Sequence, residues 1–352
     1  MARDWTWFAI GALIALAAAA LLTRTVANEY FFFAGYVVLQ FVVLATAWNI
    51  LGGYAGYVNF GSGAFFAMGA YTAVALIRAF EAPLPVQIVA AAAVTGSMGF
   101  MVGALTLRLR GIFFSIATVA IAVICETVIV NWGYVGGARG ATVLQPEAPA
   151  WFASYTRLLF VTMALLAVLA VALARYIETS WIGRGLRAIR DSEEAAESVG
   201  VPTLRLKLFA ATASGALMGV AGAPFPMYMS FIEPVSAFSL NYAVSALAMP
   251  IIGGTASWIG PVIGALLLGS VQQLVTVTIS SELNVLVIGV LLVIFVVAAP
   301  HGILGLLQRL WGPARPPLAE DRRRKEAGKL SARLPRPFLS ARGRRPGRGG
   351  KR

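Results

Sequence analysis

The sequence predicts an all-α polytopic membrane protein with about ten transmembrane helices. Of its 352 residues, 59% are hydrophobic and only 12% are charged. A soluble domain is about 45–50% apolar and about 25% charged, so a soluble enzyme or binding module does not fit this composition. The uncharged stretches of the chain also have the lengths of one or two membrane spans.

The number of spans follows from these uncharged stretches. About 30 Å of hydrocarbon, crossed at about 1.5 Å per residue, needs about 20 residues in each helix. Two of the stretches are long enough for two spans each, and the others hold one span each. In chain order they are 5–23, 30–77, 82–107, 111–138, 158–174, 208–232, 234–281 and 283–308, where 30–77 and 234–281 hold two.

The charges between the spans predict that both termini are cytoplasmic. An even number of spans places the termini on one side, whose loops carry nine Lys or Arg residues before residue 309, against four on the other side. Cytoplasmic loops carry the excess of positive charge. A cleaved signal peptide is the alternative for the N-terminus, but its apolar run is longer than usual and Asp4 lies in its charged region.

The chain divides into a transmembrane domain, 1–308, and a C-terminal tail, 309–352. The tail holds 15 Lys or Arg residues against three acidic residues and is rich in Pro and Gly. It has too few apolar residues to bury a core, which predicts disorder. Because the tail is tethered at a membrane, anionic lipid head groups are a nearer partner for its charge than nucleic acid.

Two glycine-rich segments interrupt the long apolar stretches. The first break, Ile50–Ala70, and the second break, Ile251–Ala265, both open with two apolar residues and a Gly-Gly pair, which indicates a weak two-fold internal repeat. Matching interruptions in two halves point to a transporter's substrate pathway. Tight turns with close helix packing are the alternative. The candidate pathway residues are Gly53, Asn59, Gly61, Ser62, Gly254, Thr255 and Gly260, together with Glu126, a charge inside a predicted span.

The predicted cytoplasmic loop 176–207 encodes a short helix over roughly 192–199. Asp191 followed by Glu194 fits an N-cap with its capping-box partner. Gly200 can take the left-handed conformation that ends a helix, and Pro202 prevents its continuation. A capped helix among basic residues predicts a docking element, and a solvated connecting loop is the alternative.

Four motifs of the chain resemble one family. Glu194-Ala195-Ala196, followed after three residues by Gly200, resembles the EAA signature of permease subunits of bacterial ABC importers. The four motifs occur in the expected order over about residues 35–305 and are similar to the branched-chain amino acid importers, specifically their M-type permeases. They read GGYAGYVNFGSGAFFAMGAYTA, RLRGIFFSIATVA, GRGLRAIRDSEEAAESVGVPTLRLKLFA and IIGGTASWIGPVIGA. The Leu-Pro ending usual after the EAA signature is absent here.

The resemblance implies an importer in the bacterial inner membrane, with two homologous permease subunits forming a heterodimer. Two cytosolic ATP-binding subunits and an external binding protein complete it, so this chain is expected to be no enzyme and to hold no cofactor. Branched-chain amino acids are the implied cargo, and urea or short amides are the alternative. The residues expected to contact the ATP-binding subunit are Arg187, Asp191, Glu194, Ala195, Ala196 and Gly200.

Other functional classes find little support in the residues. None of the four lysines lies in a G-x-x-x-x-G-K-[ST] frame, so ATP hydrolysis by that route is excluded. An ion-coupled transporter usually carries ionisable groups in its spans, and Glu126 is the one candidate. A membrane enzyme would depend on His301, the single histidine, which no catalytic or metal arrangement accompanies. Cys125, the single cysteine, cannot form an internal disulfide.

Overall fold

The computed structural model describes residues 2–106, 109, 111–278, 283–299 and 302–311. The chain divides into two compact units, 1–306 and 307–352, and residues 307–311 are the described part of the second. The predicted tail beyond residue 311, and His301, lie outside the described residues. The helices are α1 (Ala2–Thr25), α2 (Glu29–Ala55), α3 (Ser62–Phe80), α4 (Leu84–Thr106), α5 (Ile112–Asn131), α6 (Tyr155–Thr179), α7 (Trp181–Asp191), α8 (Glu193–Ser198), α9 (Thr203–Gly222), α10 (Phe225–Met229), α11 (Pro234–Ala237), α12 (Leu240–Gly253), α13 (Ile259–Thr278), α14 (Leu283–Ala298) and α15 (Gly302–Trp311).

The protein is an all-α membrane protein. Within the described ranges, nine helical stretches are long and apolar enough to cross a membrane. The tenth predicted span, 283–308, holds a shorter apolar helix, α14, of 16 residues. The nine stretches are Trp5–Thr25, Glu29–Ala55, Ser62–Phe80, Leu84–Thr106, Ile112–Asn131, Tyr155–Thr179, Thr203–Met229, Pro234–Gly253 and Ile259–Thr278.

The core of the bundle forms around α2 and α9. Within the most apolar part of each stretch, 67% of the residues are buried in the stretch that contains α9 and 61% in α2. The corresponding shares are 17% for α5 and 11% for α1. Glycine permits close approach at the centre, because a side chain on Gly219 of α9 would collide with Thr95 of α4. Small residues at such interfaces bring helices together through van der Waals packing. Because so few of their residues are buried, the helices α1 and α5 lie at the periphery of the bundle.

Connections lie at two opposite ends of the bundle. The loop end contains the connections 56–61, 180–202 and 254–258. Side-chain hydrogen bonds join 180–202 to 56–61 and to the end of α2, and join 254–258 to the end of α6. The other end contains two 3₁₀ turns at Gly133–Val135 and Gly137–Arg139 and an antiparallel pair of strands. The strands are β1 (Ala141–Thr142) and β2 (Phe231–Ile232), with Ala141 opposite Ile232.

Both ends of the described chain approach the loop end. The rings of Trp5 and Phe8 in α1 pack around the guanidinium group of Arg175, with centroid distances of 5.3 and 4.8 Å. Trp258, in the connection after α12, lies 5.2 Å from the same group. Near the C-terminal end of the described chain, the backbone of Gly302 contacts Gly254, which also lies at the loop end.

Candidate functional site

The loop between α6 and α9 contains two helices. Ser180 caps α7, because its hydroxyl accepts a hydrogen bond from the Ile182 amide at 3.2 Å. The buried face of α7 carries Leu186 and Ile189, while Arg184 is exposed. Arg184, Arg187 and Arg190, which are spaced three residues apart in the sequence, all lie in α7.

The predicted short helix is present as α8, but its N-cap lies one residue later than predicted. Asp191 is the last residue of α7, and Ser192 is the N-cap, with its hydroxyl accepting from the Ala195 amide at 3.3 Å. The capping box of Asp191 with Glu194 is therefore wrong, because Ala195 occupies the position that Glu194 would need. Glu194 stays in the first turn, where a carboxylate is favoured by the helix dipole.

The end of α8 agrees with the prediction. Gly200 has φ +84°, in the left-handed region. Its amide donates to the Glu197 carbonyl and the Val201 amide donates to the Ala196 carbonyl, both at 3.0 Å. This pair of bonds is a Schellman motif, which closes the last turn of a helix. A second helix, α9, then begins at Thr203.

The two alanines of the EAA signature face in different directions. Ala195 and Glu194 are exposed on the outer surface of α8, and Gly200, in the turn that follows α8, is exposed as well. Ala196 is only 3% exposed and packs with apolar residues of α7 and α9. The side chain of Ala196 therefore attaches α8 to its own chain, and Ala195 is the small residue that a partner can approach.

A buried ion pair fixes α8 to the rest of the protein. Lys207 Nζ in α9 lies 2.6 Å from Glu193 Oε1, and both side chains are largely buried. The Tyr57 hydroxyl, from the connection between α2 and α3, donates to Glu193 Oε2 at 2.7 Å and accepts from Lys207 Nζ at 3.2 Å. Each of the three side chains contacts the other two. We call Tyr57, Glu193 and Lys207 the buried joint.

The helix α7 contacts the first break directly. Arg190 Nη1 donates to the carbonyl of Gly53 at 2.7 Å. Arg187 instead donates to the Glu178 carbonyl at 3.1 Å, close to the end of α6. Glu178 Oε2 accepts from the Trp258 amide at 2.6 Å and from the Tyr54 hydroxyl at 3.3 Å. One carboxylate thus joins the two breaks.

The polar residues of the first break are buried and bonded within the chain. Asn59 is 4% exposed, and its side-chain oxygen accepts from the Gly61 amide at 2.7 Å. The Asn59 carbonyl accepts from Trp48 Nε1 at 2.9 Å and from the Ser62 hydroxyl at 3.5 Å. Thr118 of α5 accepts from the Phe60 amide at 3.1 Å, which holds the break against α5.

The second break is packed backbone against backbone. Gly254 has φ +116°, and its amide donates to the Pro250 carbonyl at 2.7 Å. A side chain on Gly260 would collide with the Gly254 carbonyl, and one on Gly53 would lie 3.0 Å from the Thr255 carbonyl. The two breaks therefore touch at Gly53 and Thr255. In this conformation the glycines contact other backbone atoms and do not line open space.

The four motifs meet at the loop end of the bundle. The first break contacts the α5 motif through Ser115 and Thr118, the loop motif through Tyr57, and the second break through Gly53. Glu126 is separate from this cluster. It is partly buried in α5, three residues before Ile129, which is fully buried.

A family model for the permease component of branched-chain amino acid transport systems matches residues 30–296. The chain belongs to this family. It is therefore a permease subunit of an ABC importer and a multi-pass protein of the inner membrane, in a family of transport proteins that are not enzymes. Permeases of this kind work with ATPase subunits and a partner permease.

Two relatives of the permease illustrate the family. The high-affinity branched-chain amino acid transport permease LivM of Salmonella typhimurium is 26% identical over 75% of this chain and 67% of its own. A probable branched-chain amino acid transport permease, LivH of Methanocaldococcus jannaschii, is 27% identical over 70% of this chain and 83% of its own. A solved metal-chelate type ABC transporter in an inward-facing conformation is 15% identical, with a TM-score of 0.41, over 83% of this chain and 99% of its own.

Several residues that organise the site of the permease were missed from the sequence. Lys207 precedes an apolar run, and the sequence placed it at the end of the predicted loop 176–207. In the structure it lies inside α9 and is 3% exposed. No contact of Glu193 or Glu178 was predicted from the sequence. The available signal was the position of Lys207 five residues into a helix, on the same face as the buried Thr203.

Proposed function

We propose that the permease imports branched-chain amino acids as one half of a heterodimer with a second homologous permease. In this proposal two cytosolic subunits bind and hydrolyse ATP, and an external binding protein delivers the amino acid. The permease itself binds neither ATP nor another cofactor. The match to the family model over residues 30–296 carries the proposal. The relatives named for branched-chain amino acid transport support the substrate class.

The ATP-binding subunit is proposed to press on α7 and α8. Glu194, Ala195 and Gly200 are exposed and available to it, while Ala196 holds α8 in place. The bond from Arg190 to Gly53 and the buried joint support this role, because both lead from the loop to the first break. The residues proposed for coupling remain Arg187, Asp191, Glu194, Ala195, Ala196 and Gly200.

The two breaks are proposed to form the inner gate of the substrate pathway, closed in this conformation. A zwitterionic amino acid needs hydrogen bonds for its head group, and the breaks hold such groups in bonds within the chain. Separation of the breaks would release them. The residues proposed for this gate are Gly53, Asn59, Gly61, Ser62, Gly254, Thr255 and Gly260.

Glu126 is proposed to face the pathway at the contact with the second permease. Only 17% of the residues in the most apolar part of its helix, α5, are buried within this chain. A carboxylate in a membrane span is costly unless it faces protein or a water-filled cavity. A partner permease or the pathway between the two subunits would supply that environment.

Uptake by the reconstituted importer tests the proposal. The permease is purified with its partner permease and ATP-binding subunits, placed in vesicles, and supplied with the binding protein and ATP. Labelled leucine, isoleucine and valine are compared with labelled urea and acetamide. ATP-dependent uptake of the three amino acids is expected. Uptake of urea or acetamide without uptake of the three amino acids would show that the substrate is a short amide. Uptake driven by a proton or sodium gradient without ATP would overturn the proposed mechanism.

A further inference from the structure

Three elements that are distant in sequence meet at the buried joint. Glu193 is the first residue of α8, Lys207 lies in α9, and Tyr57 lies in the connection between α2 and α3. The exposed fractions are 4% for the Lys207 side chain and 15% for the Glu193 side chain. Such burial makes salt screen this contact much less than it screens an exposed ion pair.

The helix α8 needs this attachment. It has six residues, and an isolated helix of that length is unstable in water. Ala196 is its one buried residue and contributes little apolar surface. The charged joint therefore supplies the directional contact that sets where α8 lies relative to α9 and to the first break.

The joint also reaches the gate proposed above. Tyr57 follows Gly56, whose left-handed conformation, at φ +78°, ends α2. Arg190 contacts the same turn, with its Cγ 3.1 Å from the position of a side chain on Gly56. The Tyr57 ring packs edge-on against Phe114 of α5, at 5.1 Å between centroids. A displacement of α8 that pulls Tyr57 would therefore move the turn at the end of α2.

We infer that Lys207 is a positioning residue of the transport cycle, which locks Glu193 of α8 to Tyr57 and so transmits the movement of α8 to the first break. The inference rests on the proposed function, since it names the route by which force from ATP hydrolysis enters the membrane domain. Lys207 contacts no substrate in this role. It sets the geometry between the coupling helix and the gate.

Hydrogen exchange of the purified permease tests the joint without any partner. Lys207→Met removes the Lys207 ammonium group from its contact with the largely buried Glu193 carboxylate, and breaking a buried ion pair in this way is strongly unfavourable. Amides of 193–202 and of 56–61 are expected to exchange at least about tenfold faster together. Arg205→Met is the matched control, because it removes an exposed positive charge two residues earlier in the same helix. Lys207→Arg, which keeps the charge, is expected to restore slow exchange in part.

The ratio of amino acid transported to ATP hydrolysed tests the transmission. Lys207→Met and Tyr57→Phe are expected to lower this ratio in the reconstituted importer by about tenfold and about threefold, with ATP hydrolysis retained. If the wild-type importer carries none of the three amino acids, the proposed function fails while the exchange result still decides the joint. Wild-type exchange at 56–61 in Lys207→Met, or a wild-type transport ratio, would overturn the inference.

Discussion

Arg190 Nη1 donates a 2.7 Å hydrogen bond to the carbonyl of Gly53, which joins the loop helix α7 to the last turn of α2. The last carbonyls of a helix have no partner within the helix, so a guanidinium group is well suited to this position. The bond also crosses from the loop motif to the first glycine break. It is a second connection beside the buried joint.

Removing this guanidinium group should loosen the end of α2. Arg190→Met deletes the donor, and a bond to a charged group in a partly exposed position contributes about 1 kcal/mol. We expect about fivefold faster hydrogen exchange for the amides of 51–56 and a reduced transport rate. Arg184→Met removes a charge from an exposed position of the same helix and should leave these amides unchanged. Equal exchange in the two variants would show that the bond has no structural weight.

The end of α8 provides a prediction that depends on backbone conformation alone. No heavy atom lies within 4 Å of a side chain built on Gly200, so only its positive φ restricts substitution. Valine resists the left-handed region, at a cost of about 1–2 kcal/mol, whereas asparagine tolerates it. Gly200→Val should therefore leave the permease inserted but lower uptake and binding-protein-stimulated ATP hydrolysis. Gly200→Asn should retain both. Equal losses in the two variants would show that any side chain at Gly200 is harmful, and that the left-handed backbone conformation is not the reason.

The sequence predicted the fold because the signals were compositional. Uncharged stretches bounded by charges located each of the nine described helical stretches that are long and apolar enough to cross a membrane. They include the short stretch 158–174, which lies inside α6. The last predicted span, 283–308, is less regular than expected, because it holds α14, which ends at Ala298, and the start of α15, at Gly302, which has φ +69°. Local end signals also worked, as the left-handed Gly200 shows. The cap shifted by one residue because Asp191 and Ser192 are both good caps, and the length of α7 decides between them.

The organisation of the site was harder to predict, because it depends on contacts between distant segments. Glu193, Lys207 and Tyr57 are separated by up to 150 residues, and nothing local to any of them indicates the other two. The glycines of the second break predicted an interruption correctly. Their close contacts with Gly254 and Met249 could not be read from composition, because a pathway and a tight turn both require small residues.

The two alanines of α8 should respond differently to enlargement. Ala196 is buried between α7 and α9, so leucine at this position would overpack the contact, at a cost of about 1–3 kcal/mol. Ala196→Leu should displace α8, with faster hydrogen exchange over 193–202 in the purified permease. Ala195→Leu should leave exchange unchanged and weaken only the binding of the ATP-binding subunit, measured by co-purification. Reversed effects would place the buried face of α8 on the opposite side.

Substituting a glycine of the second break should destabilise the permease, whereas substituting a glycine with no neighbouring atoms should not. If Gly260 only lined an open pathway, a bulky residue at this position would block transport while the protein still assembled. The packing points to a stronger result, because even the single methyl group of alanine would collide with the Gly254 carbonyl. Overpacking of this kind costs at least about 1–3 kcal/mol where backbone must move. Gly260→Ala should therefore lower the thermal unfolding midpoint of the purified permease and reduce its yield.

Gly11 of α1 is the matched control for this prediction. No heavy atom lies within 4 Å of a side chain built there, and alanine is favoured over glycine in a helix by about 1 kcal/mol. Gly11→Ala should therefore leave the unfolding midpoint unchanged or raise it. Size-exclusion chromatography of heated, detergent-solubilised samples measures both variants in one series. A wild-type midpoint for Gly260→Ala would mean that α12 and α13 separate easily at this turn, as a pathway-lining segment requires and a rigid packing contact does not.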